Sequence, residues 1–378
     1  MSGTLLGGKS IRVAGPAAGV GVSGCSAAAG HATQSYPPPT APNTAVAAAG
    51  GREANHSVEA WAYVPDTISR EAQGILSRVL GDPATLRPRP APDDVAGWEK
   101  VQAGFEAIGK QRSEQAAKEY QITVAPKTMG GIEVVDIQPQ DWKDNGQVVV
   151  YIHGGTWALF TAQSSVERSG LVAFRTGLRV VSVTYTRPPK AKWPQVTDEI
   201  IAVMKELGKE GYPLSKIAIM GDSSGGNLAA CVTLKMRDLG IGMPSAVVMW
   251  SPCVDFANTA DTRYTLRDAE PSFIYELHVK TAMLAYADPR DWKNPYVSPV
   301  YADFTKGFPP ALIQVGTRET LLSDSVRLFQ VIEAAGGSAK LDVYEGMIHV
   351  FQPYVAEAPE GKLALAKVKA FLDKHLEK

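Results

Sequence analysis

Cysteine is scarce in this chain: Cys25, Cys231 and Cys253 are the only three in 378 residues. That is too few for a disulfide framework, and their spacing fits no zinc site. Neither sign of charge is in excess, since 38 Lys and Arg face 39 Asp and Glu. A nucleic-acid-binding surface needs a basic stripe and an anionic membrane patch needs a polybasic run, so the balance argues against both. No stretch approaches the roughly 20 apolar residues that span a bilayer. No internal repeat is visible, which argues against a repeat architecture. What is present is a composition 45% hydrophobic and 20% charged. At this length it serves one large α/β domain with extra cover, or two smaller domains.

Residues 1–55 do not read as part of a core. They are Ala, Gly, Pro, Ser and Thr with almost no large apolar side chains, as in Tyr36-Pro-Pro-Pro-Thr-Ala-Pro. Within them Lys9 and Arg12 precede a small-residue run ending Val22-Ser-Gly-Cys25, which resembles a bacterial lipoprotein cleavage box. The apolar run is broken by glycines and by Pro16, where a signal peptide needs an uninterrupted one. Two expectations follow: a plain disordered leader on a cytoplasmic protein, or an exported protein lipid-anchored through Cys25.

Helical periodicity begins near residue 65. Ile68, Ala72, Ile75, Leu76 and Val79 share one face, and Gly81-Asp-Pro83 stops the helix. After Arg87-Pro-Arg-Pro-Ala-Pro92, Asp93 or Asp94 can cap a second helix with Val95, Trp98, Val101, Phe105 and Ile108 as its apolar stripe. These helices are either core cover or a lid, and residues 56–125 are expected to form an N-terminal cap. Strands and helices then alternate through 126–378, the pattern of an α/β fold. Strands are expected over 122–124 and 131–137 (antiparallel), then at 148–152, 179–185, 217–220, 246–250, 311–315 and 341–344. Helices are expected over 196–207, 323–335 and 362–376. An aromatic-rich insertion at about 256–288 reads as a second piece of cap.

The stretch Ile217-Ala-Ile-Met-Gly221-Asp-Ser223-Ser-Gly225 runs from a short apolar strand into a helix with a serine at the corner. Gly-x-Ser-x-Gly at such a corner is a nucleophile elbow: the tight turn leaves no room for side chains at the glycines and holds the serine hydroxyl out. Upstream, Val148–Ile152 ends in His153-Gly154-Gly155-Thr156-Trp157, where glycine amides can face a ligand directly. The amides of Gly154, Gly155 and Ser224 are therefore the expected oxyanion donors. His153 is expected to shape that loop. The general base has to arrive on a late loop, and of six histidines only His349 follows a short strand near the C-terminus. Three carboxylates compete to orient it. Glu319 lies just past a strand, Asp324 stands where it would cap the next helix, and Asp255 follows the preceding strand.

In order along the chain, His153-Gly-Gly, Gly221-Asp-Ser-Ser-Gly-Gly226, Ser298-Pro, Phe308-Pro-Pro-Ala-Leu-Ile-Gln-Val-Gly316 and Gly346-Met-Ile-His349-Val-Phe351 resemble the hormone-sensitive-lipase-like esterases of the α/β-hydrolase fold. The resemblance covers about residues 60–378. It implies a mostly parallel sheet flanked by helices, a two-piece helical cap, and a serine esterase acting through Ser223, His349 and Glu319 with neither metal nor cofactor. It further implies a small-molecule ester of a short- to medium-chain acid, with Trp157, Phe160, Phe273 and Phe351 as candidate pocket walls. A homodimer is one option; nucleic acid and an integral membrane span are not expected. Three departures stand out. Glu319-Thr-Leu321 replaces the Asp-Pro-Leu of many members, Ser224 replaces alanine, and Tyr185-Thr-Arg-Pro-Pro-Lys190 replaces Tyr-Arg-Leu-Ala-Pro-Glu. His153-Gly-Gly-Thr-Trp157 also resembles kynurenine formamidases, which keeps an amidase or lactonase as the alternative. A small-molecule receptor of the same fold is a third reading, at odds with the retained Ser223 and His349.

Overall fold

The computed structural model describes residues 59–82, 85–257 and 259–376. The leader and Cys25 lie outside the described residues. The strands are β1 (Ile122–Met129), β2 (Ile132–Pro139), β3 (Val148–Ile152), β4 (Arg179–Val183), β5 (Ile217–Asp222), β6 (Ala246–Trp250), β7 (Ala311–Gly316) and β8 (Ala339–Tyr344). Among the described residues they form one sheet in the order β1-β2-β4-β3-β5-β6-β7-β8. β1 and β2 make an antiparallel hairpin, β2 runs antiparallel to β4, and the remaining pairs are parallel. The helices are α1 (Arg70–Val79), α2 (Val95–Glu119), α3 (Val166–Thr176), α4 (Trp193–Lys209), α5 (Ser224–Asp238), α6 (Thr262–Thr265), α7 (Lys280–Tyr286), α8 (Leu322–Ala334) and α9 (Pro359–Leu376).

Every residue of β3 through β7 is buried, because helices cover both faces of the parallel sheet. The strand pleat sorts the side chains. Val148, Val150 and Ile152 pack with α4, α5 and α8, whereas Val149 and Tyr151 pack with α3 and α9. The chain leaves β3 toward β4 on one side, then crosses back to β5 on the other. Loops following β3 and β5 therefore diverge, opening a crevice at the carboxyl ends of adjacent strands. His153-Gly154-Gly155 and Ser223 both emerge there.

The two N-terminal helices pack against different parts of the fold. Ala72 and Leu76 of α1 pack on Met347, Ile348 and Phe351 and on Ala364 of α9. Ser69 caps α1 and is pinned to Glu360, its hydroxyl donating to that carboxylate at 2.7 Å. Asp94 caps α2, and Trp98 buries itself against Ala158, Leu159 and, in α7, Ala282 and Ala285. Val79, Val95 and Ile108 are exposed, contrary to the expected apolar stripes. α2 instead buries Trp98, Gln102, Gly109, Ser113 and Ala116, the small residues letting it approach α3 and the loop before it. The sequence-derived boundary at 125/126 falls inside β1.

Candidate active site

Ser223 sits at φ 54° and ψ −118°, a region side chains rarely occupy. Close packing leaves the corner no alternative. A β-carbon on Gly225 would stand 1.9 Å from the Ile152 carbonyl oxygen, and one on Gly221 would stand 2.3 Å from that of Gly225. The Ser223 amide donates to Trp250 O at 2.7 Å, holding the corner to β6.

The loop after β8 brings His349 Nε2 to 3.0 Å from Ser223 Oγ. Its Nδ1 lies 2.8 Å from Glu319 Oε2. The other carboxylate oxygen of Glu319 accepts the Gly316 amide at 2.7 Å and the Ser251 hydroxyl at 2.8 Å. Ser251 Oγ in turn accepts the Val350 amide at 3.1 Å, so one hydroxyl ties the acid loop to the histidine loop. Glu319 is fully buried, and these donors hold its carboxylate in place. Burial by itself would lower the His349 pKa, but the hydrogen bond and charge of Glu319, reinforced by Glu270 and Asp222, raise it above the usual imidazole value.

Of the expected oxyanion donors, Gly154 is otherwise engaged: its amide donates to Asp222 Oδ1 at 3.0 Å. Asp222 also accepts the Tyr151 hydroxyl at 2.7 Å and lies 3.6 Å from Arg168, so it braces the loop from beneath. Gly155, Thr156 and Ser224 line the cleft, and among the described residues their amides meet no acceptor. His153 is buried, stacked on Tyr185 with ring centroids 4.4 Å apart, and its Nδ1 lies 2.9 Å from Gly154 O. Burial pushes its pKa down to about 4, which suits a neutral loop-shaping ring.

The cleft above Ser223 has a cavity volume of about 200 Å³. Trp157, Phe160 and Phe273 line it, with Phe105 of α2. Phe273 meets the His349 ring edge-on at 5.1 Å. Phe351 does not line the cleft; it packs in the core against Tyr344, where its place two residues after His349 turns it inward. The rival carboxylates are committed elsewhere. Asp324 is inside α8 rather than capping it, and its carboxylate accepts the Val254 and Asp255 amides and pairs with Arg263 at 2.7 Å. Asp255 pairs with Arg327 and accepts from Thr259 and Tyr301.

Four residues around the cleft carry no signal in the linear sequence. Asp222 occupies the variable position of the elbow motif, and Ser251 stands at the strand end beside it. Asn227, one helical turn past the elbow, accepts the Trp157 indole at 3.2 Å and donates to Val297 O at 2.9 Å. Glu270, in the insertion, accepts the Ser272 amide at 2.9 Å and the Thr320 amide at 3.3 Å, which places a second buried carboxylate behind Glu319. Among the described residues no cluster of His, Cys, Asp and Glu is arranged to hold a metal ion, and no helix is long and apolar enough to cross a membrane.

With this geometry in hand, residues 149–353 match a family described as having the alpha/beta hydrolase fold. An acetyl-hydrolase of Streptomyces hygroscopicus is 32% identical over 230 residues, covering 61% of this chain and 76% of the relative. An esterase of Acinetobacter venetianus is 31% identical over 256 residues, covering 66% and 82%. Among solved structures, esterase E25 superimposes with a TM-score of 0.77 at 28% identity, over 83% of this chain and 96% of that one. An esterase from the bacterial hormone-sensitive lipase family superimposes with a TM-score of 0.68 at 29% identity, over 82% and 99%.

Proposed function

The chain belongs to the α/β-hydrolase family as a carboxylic ester hydrolase of the hormone-sensitive-lipase-like kind, and we propose that it cleaves short- to medium-chain acyl esters through Ser223, His349 and Glu319. In this mechanism His349 Nε2 takes the Ser223 proton as Oγ attacks the ester carbonyl. Glu319 holds the imidazole in the productive tautomer and stabilises its cationic form. The amides of Gly155 and Ser224, with Thr156 beside them, receive the oxyanion at the N-terminus of α5, where the helix dipole adds to their effect. His349 returns the proton to the departing alkoxide. It then activates water against the acyl-enzyme.

The observation that carries this reading is the hydrogen-bonded series Ser223–His349–Glu319 at the base of an aromatic-lined cleft. The acyl length is supported by the limited size of that cleft and by the acetyl-hydrolase activity in the name of one relative. Ser223→Ala should reduce hydrolysis of p-nitrophenyl butyrate by several orders of magnitude while preserving the fold. Retention of more than about a tenth of the activity would refute the nucleophile. A p-nitrophenyl ester series should favour two- to eight-carbon acyl groups; a maximum at sixteen carbons would refute the length assignment.

A further inference from the structure

We propose that the cleft is built for an ester that itself carries a carboxylate, and that Arg89 binds that carboxylate. The inference rests on the esterase reading of Ser223 and adds the substrate class. Arg89 lines the same cleft as Ser223 and His349. Its Nε is buried without a hydrogen bond, and its guanidinium makes no ion pair among the described residues. An arginine withdrawn from water ordinarily finds a carboxylate partner, because desolvating a fixed cation without compensation is costly. Burial draws its pKa down to about 10, which still leaves it charged at neutral pH.

The other charges around the cleft do not compensate it. Arg168 has its own counter-ion in Asp222, at 3.6 Å. Burial, with the Arg89 charge next, lowers the His278 pKa, so that ring is neutral. The two buried carboxylates nearest His349, Glu319 and Glu270, are occupied by the Gly316, Ser251, Ser272 and Thr320 donors described above. Arg89 is thus left without a carboxylate in contact with it among the described residues.

Arg89 is also held in place. Pro90 biases its backbone to extended conformations, and Pro88 fixes φ at the position before Arg89. Its amide donates to Leu277 O at 3.2 Å, and Arg87 O lies 2.9 Å from His278 Nε2. The guanidinium carbon lies over the Phe105 ring, 4.8 Å from its centroid, and a guanidinium with no hydrogen bond of its own among the described residues can offer paired N–H groups to a carboxylate. A tethered backbone, an aromatic ring beneath the guanidinium and no internal partner suit preorganised carboxylate recognition.

The carboxylate can lie on the acyl or the alcohol side, and three esters distinguish these cases: neutral p-nitrophenyl butyrate, p-nitrophenyl hemiglutarate and 4-carboxyphenyl butyrate. Their kcat/KM would be followed by pH-stat for wild type, Arg89→Gln and Arg89→Lys. Wild type should prefer one anionic ester over the neutral one. Arg89→Gln should lower that anionic-to-neutral ratio by about ten- to hundredfold, mainly through KM. Arg89→Lys should fall between, and 0.5 M salt should compress the wild-type ratio. Taking the ratio within each variant removes any general loss of folded enzyme. A ratio unchanged by Arg89→Gln, or a wild type with no anionic preference, would overturn the inference while leaving the esterase reading intact. Failure to hydrolyse all three esters would overturn the esterase reading itself, and this inference with it.

Discussion

Glu319 and Asp324 lie five residues apart, and both are completely buried beside cations or a hydrogen-bonded imidazole. What separates them is what a neutral amide would leave behind. In Glu319→Gln, Ser251 and Gly316 keep an acceptor, but the imidazolium loses its hydrogen-bonded counter-charge and the amide can favour the wrong tautomer. Turnover should fall on the order of 10⁴ with little change in melting temperature. Asp324→Asn breaks the buried ion pair with Arg263, and breaking a buried pair by removing one charge costs about 3–5 kcal/mol. Its melting temperature should drop on the order of 10 °C, while turnover per folded molecule stays far above that of Glu319→Gln. Stopped assays and thermal melts on the same preparations check both. The converse pattern, a catalytic collapse without destabilisation in Asp324→Asn, would transfer the proposed role to Asp324. The sequence offers a helix-capping role for Asp324, and the structure replaces it with a different one. Position near a helix start is legible in a linear string; an arginine arriving from α6 61 residues earlier is not. Gly154 teaches the same lesson. Its amide is adjacent to the expected donors, yet whether it is free depends on Asp222, which faces it from a neighbouring strand.

At the scale of elements, the parallel strands are legible because each is a short run of Val, Ile and Met bounded by turns, and burial on both faces demands that composition. α3 is not among the expected helices. Its polar residues Glu167, Arg168 and Ser169 interrupt the apolar spacing, and its burial comes from α2 and α9 closing over it. The insertion shows how one element reaches into another's chemistry. Glu270 is carried on it, yet its carboxylate accepts the amide of Thr320 beside Glu319. Its charge adds to that of Glu319 in favouring the protonated form of His349. In the proposed mechanism His349 is the general base and acts when neutral, so the acid limb of kcat/KM should follow its pKa. Removing the Glu270 charge lowers that pKa. Glu270→Gln should therefore shift the acid limb of the profile toward lower pH, read on p-nitrophenyl butyrate between pH 5 and 9. A limb that stays in place or moves upward would show that Glu270 does not act on His349 through charge.

For the whole molecule, the order of strands turns local motifs into one site. β3 and β5 are neighbours at the point where the chain reverses its direction of travel across the sheet, so a glycine loop and a serine corner about 70 residues apart meet. The same compactness makes stability depend on protons held in the interior, and Glu270 provides the clearest case. Burial, with the Glu319 charge, raises its pKa from 4.5 to about 7, more than the His349 charge and the Ser272 donors offset. The folded state therefore binds a proton that the unfolded chain releases between these two values. Such a group contributes stability that is fully present below pH 4.5 and is lost as pH rises through about 7. His153 works in the opposite direction: its pKa is pushed down to about 4, so its contribution is present above the ordinary imidazole value and disappears as pH falls toward 4. A wild-type melt alone mixes the two, and the difference between wild type and Glu270→Gln isolates the carboxylate. Glutamine has no proton to lose there, so its melting temperature should fall less between pH 5 and pH 8 than that of wild type. The gap should correspond to a few kcal/mol at most. Parallel curves across that range would mean that Glu270 ionises in the fold as it does in water.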